Sequence, residues 1–121
     1  MTLIVKSEPW SDISGFYKRL AEQNAFFLPM LQVVQQLATS RYAVGLFPAT
    51  SHTDLLLGQT DEMEMGREMI RIAIVQDGQI SVEVQEQPSP LYKTWSRVTS
   101  SDKAFEVVEK ALLLKKWFAK M

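Results

Sequence analysis

Apolar residues recur at helical spacing through the first forty positions. Ile13, Phe16, Tyr17, Leu20 and Ala21 fall at i, i+3, i+4, i+7 and i+8, and Ser11 stands where an N-cap belongs, so the stretch predicts an amphipathic helix with one buried face. Gly15 weakens that helix by roughly 1 kcal/mol relative to alanine, and Asn24 suits its end. Pro29 fits the first turn of a new helix but not the interior of an old one. Met30, Val33, Val34, Leu37 and Ala38 then repeat the spacing. The two segments read as a helical hairpin laid on an apolar surface.

From Arg41 the period changes to two. Tyr42, Val44 and Leu46 alternate with Ala43, Gly45 and Phe47, and Pro48 closes the run, which predicts an edge strand. Thr53 to Gly58 predicts a second short strand. The sequence MIRIAIVQDGQISVEVQ predicts a β-hairpin around Asp77-Gly78. A two-residue loop would put Ile70, Ile72 and Ile74 on one face with Ser81, Glu83 and Gln85, mixing core with water. A three-residue loop from Gln76 to Gly78, built as a type I turn with Gly78 left-handed, instead pairs Ile74 with Ile80, Ile72 with Val82 and Ile70 with Val84. It also sets Arg71 opposite Glu83. The bulged hairpin is the expectation.

After the proline-punctuated QEQPSP, Lys93, Trp95 and Arg97 alternate with Tyr92, Thr94, Ser96 and Val98, which allows a fifth strand over 92–98. Ser101 or Asp102 then caps a last helix whose buried stripe is Ala104, Val107, Val108, Ala111, Leu114 and Phe118. Glu106 lies near its positive end, and Lys115, Lys116 and Lys120 lie near its negative end. The order predicts an α+β domain: an N-terminal helical hairpin, a four- or five-stranded antiparallel β-meander and a C-terminal helix, with the helices packed on one sheet face.

The chain has 121 residues, enough for a single domain that buries about two-thirds of its unfolded surface. With 13 basic and 14 acidic residues its net charge is −1, so no global field draws it to phosphate backbones or anionic lipid. It has no cysteine, which removes disulfides and thiolate chemistry. The apolar run Leu3 to Val5 is too short for a signal-peptide core, and no apolar segment approaches the roughly 20 residues of a membrane span. A cytoplasmic, soluble protein is the expectation.

Candidate chemistry is sparse. The one histidine, His52, lies between Ser51 and Asp54, but side chains of neighbouring residues in an extended turn diverge and cannot relay protons among themselves. It reads as a loop residue. The segment DEMEMGRE gathers Asp61, Glu62, Glu64 and Glu68 around Met63 and Met65 with little local compensation. It lacks the ligand spacing of a calcium loop, so no metal is expected, and an acidic patch for a basic partner is the functional alternative to a solvated loop. A second candidate surface is the outer sheet face, where Phe47, Leu56, Ala73 and Val75 stand among Arg71, Ser81 and Glu83. Lys93, Trp95 and Arg97, with Lys115, Lys116, Trp117 and Lys120, are too few and too well explained by the helix dipole to make nucleic acid the favoured partner. No phosphate-binding glycine loop or metal spacing is present, so neither an enzyme nor a cofactor is expected.

The strand ISVEVQEQ followed by PLYKTWSRVTSSDKAFEVVEKALLLKKWF resembles the closing part of small bacterial immunity proteins that neutralise polymorphic or contact-dependent toxins. The resemblance covers the last third of the chain as a pattern of alternating strand, Trp-Ser-Arg connection and capped helix ending in an aromatic residue. It implies a non-enzymatic inhibitor whose acidic surface masks a basic toxin domain. Two alternatives stay open: a small dimeric secretion chaperone that holds an extended partner segment, and a small-molecule sensor or enzyme without a recognisable motif.

Overall fold

The computed structural model of the protein describes residues 4–64, 69–85, 95–115 and 117. A short strand, β1 (Ile4–Lys6), precedes the helical hairpin formed by α1 (Trp10–Gln23) and α2 (Leu28–Ala38). Helix α1 starts earlier than Ser11 suggests. Pro9 is its N-cap and makes no side-chain bond; the Pro9 carbonyl accepts the amides of Asp12 and Ile13, so Ser11 lies inside the first turn. Asn24 ends α1 in an extended conformation, and its side chain accepts the Phe26 amide, which starts a 3₁₀ turn at Ala25–Phe27. Pro29 sits in the first turn of α2, where its missing N–H costs nothing.

The strand expected from Tyr42 to Phe47 does not form there. Residues Ala43–Gly45 make a 3₁₀ turn, and β2 (Phe47–Ser51) begins where the expected strand ends, with Pro48 inside it. Local bonds win over the alternating pattern: the Ser40 hydroxyl accepts the Tyr42 amide, and the Ser40 and Tyr42 carbonyls accept the amides of Ala43 and Gly45. Tyr42 is buried, and its hydroxyl donates to Glu109 at 2.7 Å.

Strand β3 (Asp54–Gly58) follows, then β4 (Glu62–Glu64), β5 (Met69–Ile74), β6 (Ile80–Gln85) and β7 (Trp95–Thr99). Five of them form one antiparallel sheet in the order β2-β3-β5-β6-β7, while β1 and β4 pair in a second, two-stranded sheet. The fifth strand is therefore present, and the part of it expected at 92–94 lies outside the described residues. The hairpin register is the bulged one: Ile74 pairs with Ile80, Ile72 with Val82, Ile70 with Val84 and Arg71 with Glu83. Its turn is not type I. Asp77 (φ 59°, ψ 32°) and Gly78 (φ 74°) are both left-handed, and the Gln79 amide donates to the Gln76 carbonyl, which is type I′ geometry with Gln76 as the extra residue.

Helix α3 (Ala104–Lys115) buries Ala104, Val108, Ala111 and Leu112. Leu114, expected in that stripe, is half exposed because Leu112 takes the inward position; Phe118 lies outside the described residues. Ile13, Tyr17, Val33, Leu37, Val108 and Leu112 from the three helices meet Leu55, Leu57, Ile70, Ile72, Val82 and Val84 in one core. The helices thus cover one sheet face. On the opposite face Ala49, Leu56, Met63 and Met69, with Val5 beside them, form a second, smaller core under the two-stranded sheet.

Candidate protein-binding site

The lone histidine sits at the tip of the β2–β3 hairpin. Ser51 pairs with Asp54, so His52 and Thr53 are the whole loop, and His52 takes a positive φ of 56° that histidine adopts more readily than most side chains. Asp54 is engaged elsewhere: Arg71 Nε donates to its Oδ2 at 2.8 Å. The buried Tyr17 hydroxyl donates to the Thr53 carbonyl at 2.9 Å. Burial, with the nearby Asp54 carboxylate, holds the Tyr17 phenol well above its ordinary range. These polar groups anchor a hairpin to α1.

The acidic segment is not a free loop. Residues Glu62–Glu64 form β4, and its register places Ile4 opposite Glu64, Val5 opposite Met63 and Lys6 opposite Glu62. Lys6 is a basic cross-strand neighbour of Glu62 that the linear sequence hides. Met63 is only 5% exposed and packs against the outer sheet face, so it offers nothing to a partner. Gly58 makes room for it, because a Cβ there would run into the Met63 side chain. Met65 and Glu68, also expected in the acidic patch, lie outside the described residues.

Asp61 is held at the end of this small sheet. Its carbonyl accepts the Ser7 amide at 2.7 Å, and its carboxylate accepts the Ser7 hydroxyl. Glu8 follows directly, its amide donating to the Pro48 carbonyl at 2.9 Å. Asp61 and Glu8 thereby border one open cleft of about 270 Å³ whose apolar walls include Pro9, Trp10, Phe47 and Pro48. The Trp10 indole N–H donates to the Ala43 carbonyl at 3.0 Å, which fixes that wall. A carboxylate has about four acceptor positions, so Asp61 keeps capacity beyond Ser7. Sequence reasoning found Asp61 but missed Glu8 and Trp10. They are 53 and 51 residues away from it along the chain, and only the β1–β4 pairing joins them.

The outer-face candidate is divided. Leu56 is fully buried beneath the small sheet and is no surface residue, contrary to the expectation. Phe47, Arg71, Ala73, Val75 and Glu83 are part-exposed. Farther along the sheet, Val98 on β7 is 58% exposed. Trp95 packs against the helix-side core, with the Arg97 guanidinium 4.8 Å from its ring centroid.

A cavity of about 530 Å³ is an open groove between α2 and the segment that leads into α3, lined by Gln32, Gln35, Gln36, Thr39, Ser101 and Asp102. Among the described residues no helix is long and apolar enough to cross a membrane, and no cluster of His, Asp or Glu is arranged to hold a metal. Compared with known proteins, the chain matches no family model, no curated protein and no solved structure.

Proposed function

We propose that the chain is a non-enzymatic protein-binding module, an inhibitor of the immunity type, which receives a basic side chain of a folded partner between Glu8 and Asp61. The observation that carries this reading is that two acidic residues, Glu8 and Asp61, line one cleft together with apolar walls. A lysine or arginine lays its methylene stem along apolar surface and keeps its charged head at a polar rim, and this cleft offers both environments. Its volume of about 270 Å³ is enough for one or two side chains. Glu62 follows Asp61 directly in the chain and adds acid near it, which would steer a basic partner.

Carbodiimide coupling in the native host tests the reading, because it joins carboxylates to lysines in direct contact. Cross-links from Glu8, Asp61 or Glu62 to lysines of one partner are expected. With that partner in hand, the variant Asp61→Asn/Glu62→Gln/Glu64→Gln should associate more slowly and lose most of its salt dependence, since the Debye length is about 8 Å at physiological ionic strength. Cross-links confined to other surfaces, or an unchanged on-rate and salt slope, reject the proposal.

A further inference from the structure

The five-stranded sheet has two edges, and among the described residues they differ. At β2, Pro48 lacks a backbone donor, and its carbonyl is taken by the Glu8 amide at 2.9 Å. At β7, the register with β6 runs unbroken from Val84 opposite Trp95 to Ile80 opposite Thr99, with no bulge and no proline. The other flank of β7 pairs with no strand among the described residues. An edge left unpaired by the described residues is a template for another strand.

Side chains on β7 narrow what that strand can be. Arg97 shares the helix-side face with Val82, Val98 shares the outer face with Ser81, and both are exposed. Arg97 stacks on Trp95, and its Nη1 donates to the Ser96 carbonyl at 2.8 Å, so its guanidinium is already positioned at the edge. No carboxylate is ion-paired with it among the described residues. A second copy fits poorly: the one antiparallel register that pairs all five residues of β7 with themselves puts Arg97 directly opposite Arg97, and like charges in that position repel.

We propose that β7 accepts an added antiparallel strand from a partner polypeptide, with a carboxylate side chain facing Arg97 and an apolar neighbour in the strand covering Val98. Arg97 exchanges the neutral Ser96 carbonyl for a charge-assisted bond, and main-chain bonds along the edge supply the rest. This site stands apart from the Glu8–Asp61 cleft and does not depend on it.

The test uses the full chain and two acetylated nonapeptide probes, threonine and valine alternating about one central glutamate or one central lysine. Hydrogen exchange is followed with each probe at millimolar concentration. The glutamate probe should slow exchange over Trp95–Thr99 by roughly threefold or more, and the lysine probe should not. Arg97→Glu should reverse that preference. Should Arg97→Glu fail to fold, Arg97→Gln should respond equally weakly to both probes. Glu8→Gln/Asp61→Asn should respond as wild type, so that a failed cleft leaves this result intact. Equal protection by both probes, no protection by either, or a preference unchanged in the Arg97 variants overturns the proposal. So does a probe-free dimer that protects the same residues, since a second copy would then be the occupant.

Discussion

At the β2 end of the sheet the outer face is sealed, and at the β7 end it is open. Leu56 and Val98 are both aliphatic residues on that face, yet Leu56 is fully buried and Val98 is 58% exposed. The difference comes from six residues, Ile4–Lys6 and Glu62–Glu64, whose two strands carry Val5 and Met63 over Leu56, Ala49 and Met69. A sheet face of alternating apolar residues is therefore not by itself a docking surface. What decides is whether a distant piece of the same chain reaches it.

Truncation on the two halves breaks or upholds this contrast, and it carries the largest expected effect. Leu56→Ala should destabilise the fold by about 2–4 kcal/mol, since it removes buried methyl groups and leaves a cavity closed by the small sheet. Val98→Ala, an exposed site, should stay within about 0.5 kcal/mol of wild type. Denaturant unfolding with an unchanged m-value measures both. Equal losses at the two sites would mean that β7 is covered.

Gly58 tests the seal from beneath. Its φ lies outside the left-handed region, so alanine suits the backbone and the cost is steric, set by how far the flexible Met63 side chain can move. Gly58→Ala should cost about 1–2 kcal/mol. Its signature is local: exchange should quicken in β1 and β4 more than in β5 and β6. A uniform loss of protection would mean that the small sheet unfolds only with the whole domain.

The same contrast separates what could be read in the sequence from what could not. The β5–β6 register was legible because Ile70, Ile72 and Ile74 and their partners alternate on both sides of Asp77-Gly78, and only one loop length keeps them on one face. The helical hairpin was legible from its spacing, and Asn24 and Pro29 marked its joint. The small sheet was not. Three residues are too few for a period, and Val5 and Met63 are 58 residues apart in the chain. The sequence Glu62-Met63-Glu64 reads as an acidic loop because two of its three residues are charged; the alternation that buries Met63 has meaning only once Gly58 is seen to receive it. Candidate chemistry followed the same rule, since Asp61 was visible as charge whereas Glu8 and Trp10 became relevant only through the pairing.

A third prediction concerns the tie between α1 and the β2–β3 hairpin. Tyr17→Phe removes the hydroxyl that donates to the Thr53 carbonyl and should cost about 1 kcal/mol near neutral pH. Because the folded phenol is raised above its unfolded value of about 10, its stabilising contribution is complete below that pH and is lost as pH rises further, when the unfolded chain releases the proton first. Wild type should therefore lose stability above about pH 10 more steeply than Tyr17→Phe does. Parallel alkaline limbs would show that the phenol ionises freely in the folded state.

The smallest expected effect lies at the tip of that hairpin. His52 is exposed and holds a φ of 56°, a conformation that Cβ makes costly and glycine adopts freely. His52→Gly should be neutral or stabilising by a few tenths of a kcal/mol, while His52→Ala should cost about 0.5–1 kcal/mol. That order follows from the backbone alone, since the Thr53 carbonyl and the Asp54 carboxylate beside the turn are engaged by Tyr17 and Arg71 rather than by the imidazole. Both variants should keep the Glu8–Asp61 cleft and bind its partner with wild-type kinetics, because the imidazole lies at the opposite end of β2 from Phe47 and Pro48, which wall that cleft. If binding were lost in His52→Gly while its unfolding curve stayed unchanged, the hairpin tip would be part of the binding surface, and the sealed end of the sheet would carry two contact points rather than one.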